Sequence, residues 1–206
     1  MTEGIKIVIA DDQALVRGAL ASLLDLEADF EIVGQAGRGD EVLDLVTTTG
    51  ASVALLDIEM PGLDGLAVAR QLRDADTGCR SIIVTTFGRP GYLRRALESG
   101  ASGFVVKDTP SDQLADAVRR VAQGLRVVDP LLATESLVTG SSPLTTRETD
   151  VLLALRSEGS IADVARALHL SEGTIRNHLS SAIGKTRARN GGEAVRIAAD
   201  NGWLIS

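Results

Sequence analysis

The sequence predicts an α/β protein, a doubly wound five-stranded parallel sheet joined to a second, smaller all-α domain that contains a helix-turn-helix. Over the first 124 residues, β-branched apolar runs alternate with stretches of helical periodicity. Val138-Thr139-Gly140-Ser141-Ser142-Pro143 then replaces periodic apolar residues with small and turn-forming ones. Beyond Pro143 the pattern is helical alone. The chain therefore divides into residues 1–124, a linker over 125–142 with a short helix expected at Pro130–Leu137, and a domain over 143–206.

Five strands are predicted at Ile5–Ala10, Glu31–Gly34, Ser52–Leu56, Ser81–Thr85 and Gly103–Val106, each short, apolar and rich in Val and Ile. Leu15–Leu26, Asp40–Val46, Leu63–Leu72, Tyr92–Glu98 and Gln113–Val121 carry apolar residues at three- and four-residue spacing, so each can cover one face of a sheet. Ser111 as N-cap and Gly124 beyond the last periodic residue bracket the fifth helix. Repeated strand–helix units make a parallel sheet, because a right-handed crossover returns each strand in the same direction.

In the second domain, Thr145-Thr146-Arg147-Glu148 has the spacing of a capping box and opens a helix. Three more helices follow at about Ile161–Leu168, Glu172–Lys185 and Glu193–Asn201 by the same periodicity. Turns fall at Glu158-Gly159 and His169-Leu170-Ser171.

Composition excludes several functions. The apolar share of 44% is almost all Ala, Val, Leu and Ile, and aromatics at 2% are too few for a base-stacking platform or an aromatic cage. A single cysteine, Cys79, excludes an intramolecular disulfide or a multi-cysteine zinc site and fits a reducing cytoplasm. No run of about 18 apolar residues occurs, so a soluble chain without membrane insertion is expected. The net charge of −7 is uneven: from Pro143 onward eight Lys/Arg face seven Asp/Glu, a net +1, against −8 in the remainder. Any DNA contact therefore belongs to the second domain and depends on where a few cations stand.

The strand ends carry the chemistry. Asp11 and Asp12 follow the first strand, Asp57 the third, Thr85 ends the fourth and Lys107 follows the fifth. In a parallel sheet these ends meet at one rim, where ligands bind. Any one of these aspartates alone reads equally well as a helix cap; five polar groups at matching strand ends do not. Three carboxylates without histidine suit a hard divalent cation, Mg²⁺ when a phosphate supplies further oxygens. A metal-neutralised Asp57 can then attack phosphorus, with Lys107 pairing with the phosphoryl oxygens and Thr85 donating a hydrogen bond. Glu59, two residues on, stands where an acid can tune the lifetime of the acyl phosphate.

These residues carry a family resemblance. Ala10-Asp11-Asp12-Gln13, Leu56-Asp57-Ile58-Glu59-Met60-Pro61-Gly62, Val84-Thr85-Thr86 and Gly103-Phe104-Val105-Val106-Lys107-Asp108 resemble, in order and separation, the receiver domain of bacterial response regulators, a flavodoxin-like fold. The resemblance implies that a sensor histidine kinase phosphorylates Asp57. It makes Asp11, Asp12, Asp57 and the Glu59 backbone carbonyl ligands of Mg²⁺, and Phe104 an aromatic switch residue coupled to Thr85. Phe104 reads as readily as a plain core aromatic.

Ser171–Lys185 is the candidate DNA-reading helix. At about 3.6 residues per turn, Ile175, Leu179, Ala182 and Ile183 form its buried stripe, and Arg176, Asn177, Ser180, Ser181 and Gly184 face away. Arg and Asn make bidentate contacts to guanine and adenine. Thr174 and Lys185 lie on a flank suited to phosphates, which set register without reading sequence. His178, at the edge of the buried stripe, suits packing or a phosphate contact. With the short helix Ile161–Leu168 before it, the segment has helix-turn-helix spacing. Pro143–Ile205 resembles the LuxR-type output domain of NarL/FixJ regulators, which places Arg176, Asn177 and Ser180 at base-facing positions. Residues 182–189 lack some of the family's basic and aromatic residues, and Gly191-Gly192 replaces a polar pair. Fewer phosphate contacts give a shallower salt dependence and more reliance on dimerisation.

The expected protein is thus a phosphorylation-controlled regulator that forms a homodimer on double-stranded promoter DNA. Asp57–Gly62, Thr85–Tyr92 and Gly18–Leu24 resemble the DesR-like subgroup, which implies a membrane-lipid or envelope-stress input. Two other readings compete. A metal-dependent phosphatase lacks its general-acid aspartate, since Glu59 stands two residues after Asp57 and no substrate cap is visible. A phosphate-independent dimerisation module leaves the intact acidic set unexplained.

Overall fold

A computed structural model of the chain describes residues 4–86, 90–128 and 142–204. They form two compact units, an α/β unit and an all-helical one. The helix expected at 130–137 lies outside the described residues, as does all of the expected turn-rich stretch except 142 and 143.

In the first unit β1 (Ile5–Ala10), β2 (Phe30–Ala36), β3 (Val53–Leu56), β4 (Arg80–Thr85), β5 (Gly103–Val106) and β6 (Val127–Val128) form one parallel sheet in the order β2-β1-β3-β4-β5-β6. The chain starts in the middle and winds to each side in turn, so the order reverses between β1 and β3. That is where such a sheet opens a crevice beyond its strand ends. Between strands run α1 (Ala14–Leu24), a 3-10 turn (Gly39–Glu41) leading into α2 (Val42–Thr49), α3 (Gly65–Asp74), α4 (Pro90–Glu98) and α5 (Ser111–Ala122).

The central strands are buried on both faces, which is why they read as continuous apolar runs without alternation. On one face Ile7, Ile9, Val53, Leu55, Ile82, Val84 and Val105 pack against Leu24 of α1 and Leu114, Val118 and Val121 of α5. On the other, Val8, Ala54, Leu56, Ile83 and Phe104 are equally buried, on the side of α2 and α3.

Two expectations are corrected. The sheet has six strands: Val127 and Val128, in the stretch assigned to the linker, pair with Gly103 and Phe104. Two residues are too few to show a period, yet they cover part of an otherwise open edge of β5. The N-cap of α5 is Pro110, which offers no side-chain cap, and Ser111 is already the first helical residue. Proline's fixed φ and missing N–H suit it to the helix entrance. At the other end Gly124 takes the left-handed conformation, φ 88°, just past the helix.

The second unit contains α6 (Thr146–Glu158), α7 (Ile161–Ala167), α8 (Glu172–Thr186) and α9 (Gly191–Asp200). The capping box forms as expected, with Thr145 accepting from the Glu148 N–H and Glu148 accepting from the Thr145 N–H. Ser160 and Ser171 cap α7 and α8. Asn190 caps α9 by accepting from the Glu193 N–H, so that helix begins two residues before the expected Glu193. One apolar cluster joins Leu152, Ala182, Ala194, Ala198 and Leu204, with Trp203 packed against it. A second joins Val151, Val164, Ala165 and Ile175. The helix α8 contributes to both, so its orientation is set by the packing of the other three.

Candidate functional site

The rim of the sheet brings the predicted polar residues together. One ligand oxygen each from Asp11, Asp12 and Asp57 lies within 4.8 Å of the others. Asp11 is held from all sides: its N–H donates to Ala36 O at 3.1 Å, its carbonyl accepts from Arg17 Nη1 at 2.6 Å, and its Oδ1 accepts from the Gln13 N–H at 2.9 Å. The Asp57 N–H donates to Ala10 O at 2.8 Å, which ties β3 to the exit of β1. Gly65 leaves room for this turn, since a Cβ there would collide with the carbonyl oxygen of Asp57.

The Lys107 ammonium stands 2.6 Å from Asp11 Oδ2 and 3.2 Å from Asp57 Oδ1. Its backbone N–H donates to Thr85 O at 2.7 Å, so the β4 and β5 ends are coupled where the two residues meet. The 2.6 Å approach is a charge contact without hydrogen-bond alignment: neither Lys107 Nζ nor Asp11 Oδ2 has a well-directed partner. Burial pushes the Asp57 carboxyl above its ordinary pKa, and Lys107 offsets this only in part. Burial opposes the charge on Lys107 as well, but the neighbouring carboxylates of Asp11 and Asp57 outweigh it and raise its pKa.

One ammonium therefore serves two buried carboxylates, with Asp12 exposed beside them. An all-oxygen donor set with an orphaned buried carboxylate oxygen fits a hard divalent cation. Thr85 is buried at the end of β4, and Phe104 is wholly buried in β5. Glu59 is exposed, and its side chain stands outside the three-carboxylate group. Sequence reasoning missed Arg17, whose only signal is a cation inside the apolar run Ala14-Leu15-Val16-Arg17-Gly18-Ala19-Leu20.

In the second unit Arg176, Asn177, Ser180, Ser181 and Gly184 are exposed on α8, Ile175 and Ala182 are buried, and Leu179, Ile183 and His178 are half-buried. Arg176 Nη2 donates to Glu172 Oε2 at 3.0 Å, and the Thr174 hydroxyl shares a 2.8 Å hydrogen bond with Ser171. Asn177 and Ser180 complete the face. Lys185 has a partner that spacing does not reveal: its Nζ donates to Glu148 Oε2 at 2.7 Å. Ser181 donates to Glu148 Oε1, also at 2.7 Å. Burial works against the Glu148 charge, but Lys185, Ser181 and the Thr145 N–H outweigh it and hold the carboxyl at about 2. Glu148 is thus more than half of a capping box.

Two family models match. Residues 7–119 match the response regulator receiver domain, and residues 142–198 match the bacterial regulatory proteins of the luxR family. The transcriptional regulatory protein DesR of Bacillus subtilis is 42% identical over 200 residues, covering 97% of this chain and 99% of that one. The transcriptional regulatory protein YvfU of the same organism is also 42% identical over 200 residues, covering 97% and 100%. The crystal structure of ChrA, the response regulator of a heme-sensing two-component system, superposes with a TM-score of 0.59 at 32% identity, covering 98% of this chain and 99% of that one.

Proposed function

The chain belongs to the NarL/FixJ family of two-component response regulators, transcription regulators that join a receiver domain to a LuxR-type DNA-binding domain, and from that membership we propose that phosphorylation of Asp57 controls its binding to promoter DNA. The observation that carries the proposal is the convergence of Asp11, Asp12 and Asp57 on one rim with Lys107 shared between two of them. A sensor histidine kinase is the phosphoryl donor. An Asp57 oxygen forms the new bond to phosphorus while the bond from phosphorus to the kinase imidazole breaks, and the imidazole leaves with the electron pair. Lys107 then pairs with phosphoryl oxygens and the Thr85 hydroxyl donates to one of them.

Asp11, Asp12, Asp57 and the Glu59 carbonyl would hold Mg²⁺, which when bound neutralises the charge that gathers as phosphate meets carboxylate. Arg17 and the Gln13 N–H keep Asp11 in place for that role. Phe104, already wholly buried, is the candidate switch residue beside Thr85. Glu59, exposed two residues from Asp57, tunes the lifetime of the phosphoryl group. The receiver spans residues 1–124 together with β6 of the following stretch, the rest of 125–142 carries the linker, and 143–206 form the output domain.

In the output domain α8 enters the major groove, with Arg176, Asn177 and Ser180 toward bases and Thr174 and Lys185 toward phosphates. Phosphorylation favours a homodimer, which supplies the affinity that a domain of net charge +1 lacks. The similarity to DesR supports a membrane-lipid or envelope-stress input. No described helix is long and apolar enough to cross a membrane, and membership of the family supports work in the cytoplasm.

The test measures Mg²⁺-dependent phosphorylation by acetyl phosphate together with genome-wide DNA occupancy for wild type and Asp57→Ala. The expected result is loss of both phosphorylation and regulated occupancy in the variant. Wild-type occupancy by Asp57→Ala overturns the phosphorylation switch.

A further inference from the structure

Glu148 is 3% exposed, and two of its three hydrogen-bond partners stand on the DNA-reading helix. Its Oε1 accepts from the Ser181 hydroxyl, and its Oε2 accepts from the Lys185 ammonium as well as from the Thr145 N–H, each at 2.7 Å. Ser181 and Lys185 are one turn apart on α8. Lysine ordinarily carries its ammonium on a flexible four-carbon stem and neutralises any phosphate within reach. Here departure of the ammonium would strand a buried carboxylate, so it stays where Glu148 puts it. The lysine side chain nevertheless remains 34% exposed, and an ammonium has donors beyond the one committed to Glu148.

We propose that Glu148 is a positioning residue for DNA recognition: it holds Lys185 at one point on the flank of α8, so that this lysine sets the register of the helix on the duplex and adds little general cationic affinity. The proposal rests on the DNA-reading role of α8 given above. A paired lysine brings a fixed donor with almost no net charge, so it favours one placement of the helix over its neighbours. An unpaired lysine adds attraction to every sequence alike.

Glu148→Gln separates the two. Glutamine serves at this position of a capping box: its one carbonyl oxygen can accept from the Thr145 N–H while its amide NH2 donates to the Ser181 hydroxyl, so the variant removes the charge and keeps the cap. The full-length chain, treated with beryllofluoride and Mg²⁺, is assayed on a duplex that wild type selects from a random pool and on a shuffled duplex of the same composition. Relative to wild type, Glu148→Gln is expected to bind the shuffled duplex several-fold more tightly, with a log–log salt slope steeper by about 0.9. The selected-to-shuffled ratio falls by roughly tenfold, the scale of one misread base pair. Adding Lys185→Ala to Glu148→Gln removes the extra slope.

Equal weakening on both duplexes with an unchanged slope, the mark of a merely structural residue, overturns the proposal, as does an unchanged ratio. If Glu148→Gln does not fold, Lys185→Met carries the test: loss confined to the selected duplex supports the proposal, and equal loss on both with a shallower slope overturns it. Arg176→Ala and Asn177→Ala are the controls on the underlying reading. If neither alters binding to the selected duplex, the DNA-reading role of α8 falls, and the proposal with it.

Discussion

The receiver and the output domain each bury a carboxylate beside a lysine and resolve the cost in opposite ways. At the rim one ammonium is divided between Asp11 and Asp57, at 2.6 and 3.2 Å, and the Asp57 carboxyl is pushed above its ordinary pKa. In the output domain Glu148 has a lysine of its own, a hydroxyl and a backbone N–H, and its carboxyl sits at about 2. A buried charge is tolerable only when paired and hydrogen-bonded. The difference follows the work proposed for each group. On that reading, a carboxylate that takes a cation and a phosphoryl group is left short of partners, whereas one that holds a helix in place is saturated with them.

Lys107→Ala puts the heaviest load on this contrast. It removes the ammonium from two buried carboxylates, and the expected loss in unfolding free energy at neutral pH is about 3–5 kcal/mol. Urea titration in Mg²⁺-free buffer measures it, and added Mg²⁺ is expected to restore part of the loss by entering among the same carboxylates. Equal stability of variant and wild type would show that the rim is not short of positive charge.

Gly65→Ala comes next, because the clash it creates is with the backbone of Asp57, the proposed phosphoacceptor. A Cβ at Gly65 meets the carbonyl oxygen of Asp57, and backbone on both sides must shift. The expected cost is about 1–3 kcal/mol, with slower phosphorylation by acetyl phosphate. Gly184→Ala on α8, where an added Cβ meets nothing within 4 Å, is the matched control and should leave folding intact.

The Glu148 site is expected to show itself in acid. Its folded pKa of about 2 lies below the ordinary 4.5, so the folded state binds this proton less readily than the unfolded one. The stabilisation is therefore complete above pH 4.5 and disappears as the pH falls toward about 2. Trp203 is the single tryptophan of the chain and packs in the output-domain core, so its fluorescence follows that domain alone. Over the same window the stability gap between wild type and Glu148→Gln should close; a constant gap would mean that the carboxylate charge contributes nothing to the fold.

The rim was legible in the sequence because topology forces it. Once the βα alternation implies a parallel sheet, residues placed just after strands, such as Asp11, Asp57 and Lys107, have nowhere to go but one edge. The partnership of Glu148 was not legible: Thr145 lies three residues away and is visible as a capping box, but Ser181 and Lys185 are 33 and 37 residues away. Only the packing of α6 on α8 brings them together. Local competition hid the smaller features. Pro110 takes the cap position that Ser111 suggested, and Asn190 starts α9 ahead of Glu193. Val127–Val128 is too short for any period and is a strand only because the edge of β5 is there to pair with.

The smallest effect tests whether the output domain carries strain next to the proposed reading helix. Arg187 ends α8 in the left-handed conformation, φ 54°, with its N–H donating to Gly184 O at 3.2 Å. A residue with a Cβ is held there at a cost that glycine does not bear. Arg187→Gly is therefore expected to raise output-domain stability by about 0.5–1 kcal/mol, read as a later Trp203 transition in urea. The same substitution removes a cation just past the helix proposed to read DNA, so affinity for duplex DNA and the steepness of its salt dependence should both fall slightly. A gain in stability with weaker DNA binding means that arginine is kept at this position for its charge, against the conformational preference of the backbone. A gain in stability with unchanged binding would confine the phosphate-facing cations to Lys185 and the helix itself.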